Sequence, residues 1–275
     1  MPSDPALLTV SGLRITVGGP RPLGAPPVEA VRGVDLTVGR GEALGLVGES
    51  GSGKTLTCRA VLGALPGPCA VAGGRIDLDG TDLATLPPTG WRGLHATRIG
   101  AVFQDPGAYL NPSIPVGRQL AEALRATGGL GRRAARARAL ELFAAVGLRR
   151  PEVVARQIPA QLSGGMQQRV MLAIAISCDP DLLIADELTT ALDVRTQAEI
   201  VALLRALRAR IGLSLLFVSH DLAVVAELCD RIAVFRDGRI VETAATADLL
   251  AGRAAHPYTR TLLASSDLEV SARAA

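Results

Sequence analysis

The chain has 275 residues, of which 48% are hydrophobic and 20% charged, and its formal net charge is +3. These values exclude an extended disordered chain and allow a core that needs neither disulfides nor a structural metal. No apolar run approaches the ~18 residues that a membrane crossing requires. The first ten residues do not predict a secretion signal. So small a net charge does not indicate nucleic-acid binding. We expect a globular protein of the cytoplasm.

Apolar and polar residues alternate over positions 1–42, as in LLTV and VDLTV. The loop GGPRPLGAPP separates these runs, and its prolines and glycines suit a hairpin connection or a surface excursion. The pattern predicts an antiparallel flank beside the main sheet.

A phosphate-binding pattern follows the apolar run ALGLVG at 43–48, which predicts a buried parallel strand. The pattern GxxxxGK[ST] is matched in full by Gly48, Glu49, Ser50, Gly51, Ser52, Gly53, Lys54 and Thr55. Positions 55–64 then predict a helix, so the required order of strand, loop and helix is present. Backbone N–H groups would point at the phosphates, Lys54 would reach the β- and γ-phosphates, and the Thr55 hydroxyl would ligate Mg²⁺. The alternative is a glycine-rich turn with an exposed lysine.

Lys54 is the only lysine among 29 basic residues, since the other 28 are arginines. A compact ammonium on a flexible stem differs physically from a planar guanidinium. The exception therefore indicates a position at which an ammonium is needed.

Helical periodicity dominates positions 105–178. In the predicted helix over 132–147, four arginines precede the apolar residues: Arg132, Arg133, Arg136 and Arg138. We interpret them as the solvated face of an amphipathic helix, with binding of nucleic acid or anionic lipid as the alternative.

A second anion-binding feature lies in the segment LSGGMQQR. Ser163 followed by Gly164 and Gly165 ahead of an apolar stretch predicts a capped helix start with exposed amides. Because the first loop already surrounds the phosphates of one nucleotide, this site would serve a nucleotide held by another subunit. The alternative is a capped helix without a ligand.

Polar residues end two further predicted strands. The apolar run before Asp186 and Glu187 predicts a buried strand whose carboxyl end opens onto a ligand crevice. Asp186 would hold Mg²⁺ and Glu187 would polarise the attacking water, whereas two solvated acids are the alternative. His220 follows the strand-like run LSLLFV, and a satisfied core or surface histidine is its alternative.

Together these segments resemble the nucleotide-binding subunit of ABC transporters from about Leu7 to Leu250. The resemblance implies an α/β fold with a P-loop core, a mostly parallel sheet, an antiparallel β flank and a helical subdomain at about 105–178. It implies that Gln104 senses Mg²⁺ and the transmembrane subunits, that His220 contacts the γ-phosphate and holds Glu187, and that Asp193 lies in a loop crossing a dimer interface. The nucleotide-binding domain would span 1–250, with a short tail at 251–275.

The chain is most similar to the ATPases of peptide and nickel importers. The segments FQDPGAYLNP, LSGGM and LLIADELTTALDVRTQAEI fit that group, and HPYT at 256–259 is the narrowest marker. A weaker likeness favours the nickel-type first ATPase of a pair. The implied partners are two transmembrane permease subunits, a second ATPase subunit, different or identical, and an extracytoplasmic solute-binding protein. ATP and Mg²⁺ are the implied ligands, and the cytoplasmic face of the membrane is the implied location.

Three features depart from that group. Val17 stands where an aromatic ring commonly stacks on adenine, and positions 1–90 contain no Phe, Tyr or Trp. Leu188 replaces a usual proline, which frees a backbone dihedral. No cysteine follows Cys229, so we expect no iron–sulfur cluster.

Two other classes of protein compete with the importer ATPase. Soluble ATPases of the same family in DNA repair or translation usually carry long inserts or a second ATPase domain, whereas only about 110 residues separate Lys54 from Ser163 here. The class of P-loop kinases and GTPases that act alone does not account for LSGGM, Gln104 and His220. The sequence therefore favours the importer ATPase.

Overall fold

The computed structural model describes residues 6–18, 27–103, 106–188 and 193–265. These residues belong to two compact units, one within 1–91 and 214–275 and the other within 92–213. No helix in the described ranges combines the length and the apolar character that a membrane crossing needs.

The first unit holds two groups of strands. Its elements are β1 (Leu8–Val17), β2 (Val28–Val38), β3 (Ala43–Gly48), α1 (Lys54–Val61), β4 (Cys69–Leu78), β5 (Thr81–Asp82), β8 (Ser214–Val218), α9 (Leu222–Leu228), β9 (Arg231–Arg236), β10 (Arg239–Ala245), α10 (Thr246–Leu250) and α11 (Pro257–Ala264). The antiparallel sheet has the order β2-β1-β4-β5. In the other group, β3 pairs in parallel with both β8 and β9, and β10 pairs antiparallel with β9.

Burial explains this division. Every residue of β3 and of β8 is buried, as expected for central parallel strands covered on both faces. Strands β1 and β2 instead alternate between buried and accessible residues, which suits a flank with one covered face. The predicted antiparallel flank is thus confirmed, although most of the loop GGPRPLGAPP lies outside the described residues.

The second unit is mainly helical. Its elements are β6 (Ile99–Val102), α3 (Pro106–Tyr109), α4 (Val116–Gly128), α5 (Arg132–Ala145), α6 (Pro151–Val154), α7 (Gly164–Ala175), β7 (Leu182–Asp186) and α8 (Val194–Ile211), and α2 (Pro88–Thr97) contains the boundary between the units. Strands β6 and β7 pair in parallel. The predicted α/β class with a largely parallel core is confirmed, and the exact bounds 105–178 and 251–275 stay predictions.

Two predicted helices differ in detail from the observed ones. Helix α1 begins at Lys54 and ends at Val61, short of the predicted end at position 64. Gly63 then adopts a positive φ of 61°, a backbone conformation that terminates helices. Helix α5 buries Ala135, Ala139, Leu142 and Phe143, while Arg132, Arg133 and Arg136 are exposed, so the amphipathic interpretation is confirmed.

Gly45 in β3 packs closely against helix α9. A Cβ atom there would overlap Cγ1 of Val225 in α9 and lie 3.2 Å from the Cys229 sulfur. Because both neighbours are buried, the substitution Gly45→Ala should lower the free energy of unfolding by about 1–3 kcal/mol, measured by urea denaturation.

Gly93 provides the matched control. It lies in α2, and an added Cβ would meet nothing within 4 Å. Alanine is the better helix former, so Gly93→Ala should leave stability unchanged or raise it. Equal stability of the two variants would contradict the packing argument.

Candidate functional site

The phosphate-binding loop joins the buried strand β3 to helix α1. Gly48, at the end of β3, has a φ of 143°, and a Cβ there would overlap the carbonyl oxygen of Phe235 in the adjacent β9. Gly53 adopts a left-handed conformation with a φ of 107° and precedes the first helical residue without a side-chain cap. Gly53 therefore offers no capping side chain to the first turn of α1, and a helix start of this kind can bind an anion.

Lys54 is enclosed by this loop. Its side chain is only 5% exposed, although it carries an ammonium group. The Nζ atom donates hydrogen bonds to the carbonyl oxygens of Gly48 and Glu49, both at 2.8 Å, and lies 3.3 Å from the Ser52 hydroxyl oxygen. A buried ammonium requires such partners. The predicted alternative of an exposed lysine in a glycine-rich turn is therefore wrong.

Neighbouring elements hold the loop in place. The amide of Gly238, in the turn between β9 and β10, donates to the Ser52 carbonyl at 3.1 Å. In α1, both the amide and the hydroxyl of Thr57 donate to the Gly53 carbonyl at 2.9 Å. An ammonium, a helix N-terminus and glycine amides are together a donor set for phosphate oxygens. Thr55 adds a hydroxyl oxygen of the hard type that Mg²⁺ prefers.

His220 follows strand β8, which ends at the same edge as β3, where the phosphate-binding loop begins. Strand β8 pairs in parallel with β3, with Leu46 opposite Val218, and the Ser219 amide donates to the Leu46 carbonyl at 3.3 Å. Parallel strands end at one edge, so His220, two residues beyond β8, starts from the edge at which the loop begins. Its side chain is exposed. The alternative of a core histidine is thus wrong, whereas that of a surface histidine stays open.

In the second unit, the carboxylates end a buried strand as predicted. Asp186 is the last residue of β7 and is 5% exposed. Glu187 follows with a φ of 51°, a left-handed conformation that is uncommon outside glycine and costs about 1–3 kcal/mol. Non-glycine residues in such conformations cluster at functional sites. The alternative of two solvated acids is wrong for Asp186.

The chain leaves β6 beside this strand end. Val102 of β6 is paired with Ala185 of β7, and Phe103 follows. The Phe103 ring stacks on the Tyr109 ring with centroids 4.7 Å apart. Gln104, predicted to sense Mg²⁺, lies outside the described residues.

The segment LSGGM begins helix α7. The Ser163 hydroxyl accepts a hydrogen bond from the Met166 amide at 3.3 Å, which confirms the predicted cap. Gly164 has open space beside it, whereas a Cβ at Gly165 would lie 2.7 Å from Cγ2 of Thr196. Ser163 and Gly164 are exposed, so this helix start is accessible to a ligand or to another subunit.

One contact near the carboxylates was missed by the sequence reasoning. Gln168 of α7 is 2% exposed, and its Nε2 atom donates to the Leu188 carbonyl at 2.7 Å. Its Oε1 atom is buried and has no partner within the described residues. Leu188 itself is buried. The residue at the usual proline position is thus held through its carbonyl and its side chain.

Asp193 directly follows residues 189–192, which lie outside the described ranges. Its carboxylate caps α8 by accepting hydrogen bonds from the amide of Thr196 at 3.0 Å and from the hydroxyl of Thr196 at 2.7 Å. These bonds, the amide first, hold the pKa of Asp193 below its ordinary value. A carboxylate that stays charged suits both a helix cap and an interface loop.

The sequence of this chain is similar to a known protein family and to several of its members. A family model described as ABC transporter matches residues 31–190. The chain is 46% identical over 237 residues to the probable peptide ABC transporter ATP-binding protein y4tR of Sinorhizobium fredii, covering 86% of this chain and 70% of that protein. It is 44% identical over 260 residues to the dipeptide transport ATP-binding protein DppD of Haemophilus influenzae, covering 94% and 77%.

The fold is also similar to that of a solved ATP-binding cassette. The chain matches the dimeric ATP-binding cassette MJ0796 bound to ADP and Pi with a TM-score of 0.77 and 27% identity, covering 87% of this chain and 98% of that one.

The enclosure of Lys54 generates a prediction. A guanidinium is wider than an ammonium and cannot occupy the space between two carbonyl oxygens in a loop of backbone amides. We expect Lys54→Arg to lose ATP binding as completely as Lys54→Ala, measured at equilibrium on the full chain. The control is Arg195→Lys, an exchange at a side chain that is 90% exposed. ATP binding by Lys54→Arg within a few-fold of wild type would contradict the argument.

Proposed function

The chain belongs to the ABC transporter family and has the fold of its ATP-binding cassettes, and we propose that it hydrolyses ATP to energise the import of peptides. The observation that carries this proposal is the enclosed ammonium of Lys54, which lies in a glycine-containing loop between a buried strand and the start of a helix. Peptide is the proposed cargo because relatives at 42–48% identity are named as peptide, oligopeptide or dipeptide transport proteins. The nickel alternative has no such support, and a soluble ATPase of DNA repair or translation is not favoured.

In the proposed reaction, water attacks the γ-phosphate in line with the leaving diphosphate. The amides of the loop and Lys54 bind the β- and γ-phosphates and stabilise the charge that develops on their oxygens. Glu187 accepts a proton from the attacking water and orients it, and His220 contacts the γ-phosphate. The γ-phosphoryl is transferred to water, and ADP leaves.

Mg²⁺ is proposed to accompany the nucleotide. The oxygen donors Thr55, Gln104 and Asp186 would hold it, and the bound ion would neutralise phosphate charge. The buried carboxylate of Asp186 supports this assignment, because a carboxylate at the end of an apolar strand needs a cation or hydrogen-bond donors.

The proposed assembly contains more than this chain. Ser163, Gly164 and Gly165 would contact a nucleotide bound by a second ATPase subunit, which is either a different chain or a second copy. Two transmembrane permease subunits would anchor the ATPases at the cytoplasmic face of the membrane, and an extracytoplasmic solute-binding protein would deliver the peptide. Their support is the family and the exposed start of α7.

The role of Glu187 is testable by an isosteric change. Glu187→Gln should abolish hydrolysis at this chain's own site while ATP still binds, because an amide keeps the shape but accepts no proton. Single-turnover hydrolysis and equilibrium ATP binding by the assembled complex provide the measurement. Glu141→Gln, at an exposed position of α5, is the control and should retain wild-type turnover.

The cargo is tested with the same variant in cells. Cells carrying Glu187→Gln in place of the wild-type gene should lose uptake of labelled di- and oligopeptides and keep uptake of labelled nickel. Loss of nickel uptake with unchanged peptide uptake would overturn the peptide assignment. Near wild-type single-turnover hydrolysis would remove Glu187 from its role.

If the start of α7 contacts a nucleotide bound by the second ATPase subunit, Ser163→Arg should affect the partner's site and not this chain's own site. The new side chain adds bulk and charge at the exposed start of α7, so hydrolysis at the partner's site should stop while this chain's ATP affinity stays within about twofold. Ser265→Arg, at an exposed position after α11, is the matched control. Loss of ATP binding at this chain's own loop would show that Ser163 acts within the same chain.

A further inference from the structure

Helix α7 lies within the described range 106–188, and Gln168 is the one polar residue among those that the helix buries. It is 2% exposed, and the other buried residues of α7 are apolar: Val170, Met171, Leu172 and Ala173. Burying an amide side chain removes its hydrogen bonds to water, which is unfavourable unless partners inside the protein replace them. A hydrophobic residue of similar size would avoid this loss. The glutamine therefore indicates a role other than packing.

The two ends of the Gln168 amide differ in what they contact. The Nε2 atom donates to the Leu188 carbonyl at 2.7 Å, whereas the Oε1 atom has no partner within the described residues. A carbonyl oxygen only accepts hydrogen bonds, so the amide nitrogen has to face it. The side chain keeps this bond although its own acceptor is left unsatisfied, which is unusual for a buried group. Its donor atom is the part that a hydrophobic residue could not replace.

Close packing determines the position of the helix from which this bond is made. A Cβ atom at Gly100, in β6, would overlap the carbonyl oxygen of Ala175, the last residue of α7. The same atom would lie 3.3 Å from Cδ1 of Leu183, the residue of β7 with which Gly100 is paired. Helix α7 thus packs directly on the pair β6 and β7. Its buried side chains start from a determined position beside these strands.

Glu187 needs support from its neighbours, because its φ of 51° is unfavourable for a residue with a side chain. Such a conformation persists only where the surrounding structure enforces it. On one side, Asp186 is buried as the last residue of β7. On the other side, Leu188 is 1% exposed, and Gln168 holds its carbonyl. The bond from α7 therefore restrains the residue that directly follows Glu187.

We propose that Gln168 is a positioning residue for Glu187. By holding the Leu188 carbonyl, it keeps the backbone of Glu187 in the left-handed conformation and so directs the carboxylate at the attacking water. The inference rests on the proposed function, in which Glu187 activates that water. It assigns a residue of α7 to this chain's own site, whereas Ser163 at the start of the same helix is proposed to act on the partner's nucleotide.

The test measures the single-turnover rate at this chain's own site and the equilibrium binding of Mg–ATP by the assembled complex. Gln168→Met keeps an unbranched side chain and removes the donor. The rate should fall about tenfold or more, because a small displacement of a catalytic group has a large effect on the chemical step. The Kd should stay within about twofold, since ATP binding is assigned to the loop around Lys54. Gln168→Leu, a second apolar substitution, should give the same result.

Gln119→Met is the matched control. Gln119 lies in α4, and its Nε2 atom also donates to a backbone carbonyl at 2.7 Å, that of Ile114. The substitution thus removes the same kind of bond, of the same length, at a residue without a proposed role in hydrolysis. Its single-turnover rate should stay near wild type.

Urea denaturation of the same variants separates positioning from a merely structural role. Positioning predicts that a folded Gln168→Met variant has a slower chemical step and an unchanged Kd, whereas a general loss of structure lowers both the rate and the ATP affinity. A wild-type rate in either folded Gln168 variant would overturn the proposal, and so would a rise in the Kd as large as the loss of rate. Failure of both variants to fold would show that Gln168 is a structural residue, which would overturn it as well.

These outcomes differ from failure of the proposed function. If Glu187 did not activate water, Glu187→Gln would keep near wild-type turnover. Failure of the Gln168 proposal alone would leave hydrolysis dependent on Glu187 and independent of the bond between Gln168 and Leu188.

Discussion

The enclosure of one ammonium group by a glycine-containing loop is the constraint on which the rest of this site depends. Nζ of Lys54 is bonded to the carbonyl oxygens of Gly48 and Glu49, and these atoms can face inward only if the chain turns sharply after β3. That turn brings Gly48 against the backbone of Phe235, where no side chain fits. The central position of β3, paired in parallel with both β8 and β9, supplies the rigid support.

The pairing of β3 also determines which residues share the edge at which the loop begins. Parallel strands end at one edge, so the chain after β8 brings His220 to the side of the strand group on which the loop lies. In the second unit the same rule applies to β6 and β7, whose ends lead to Phe103 and to Asp186 and Glu187. At the end of β7, the carboxylate of Asp186 is buried and Glu187 has a φ of 51°.

Support for the loop extends beyond its own motif. The turn between β9 and β10 bonds to Ser52, and β10 holds the start of α11 through Glu242. A segment about 200 residues later in the chain is thereby attached to the hairpin on which the loop rests. The HPYT segment then belongs, with the loop, to one contiguous set of contacts within the first unit.

The sequence by itself determined the elements whose signals are local. Continuous apolar runs predicted β3, β7 and β8, the glycine spacing predicted the loop, and serine before two glycines predicted the start of α7, because each depends on neighbouring residues along the chain. Only the tertiary structure decided the contacts of Gln168 with Leu188 and of Tyr258 with Arg236, and the enclosure of Lys54. These contacts join residues that are distant in sequence or depend on burial, and neither periodicity nor a motif specifies which side chains meet when helices and strands pack.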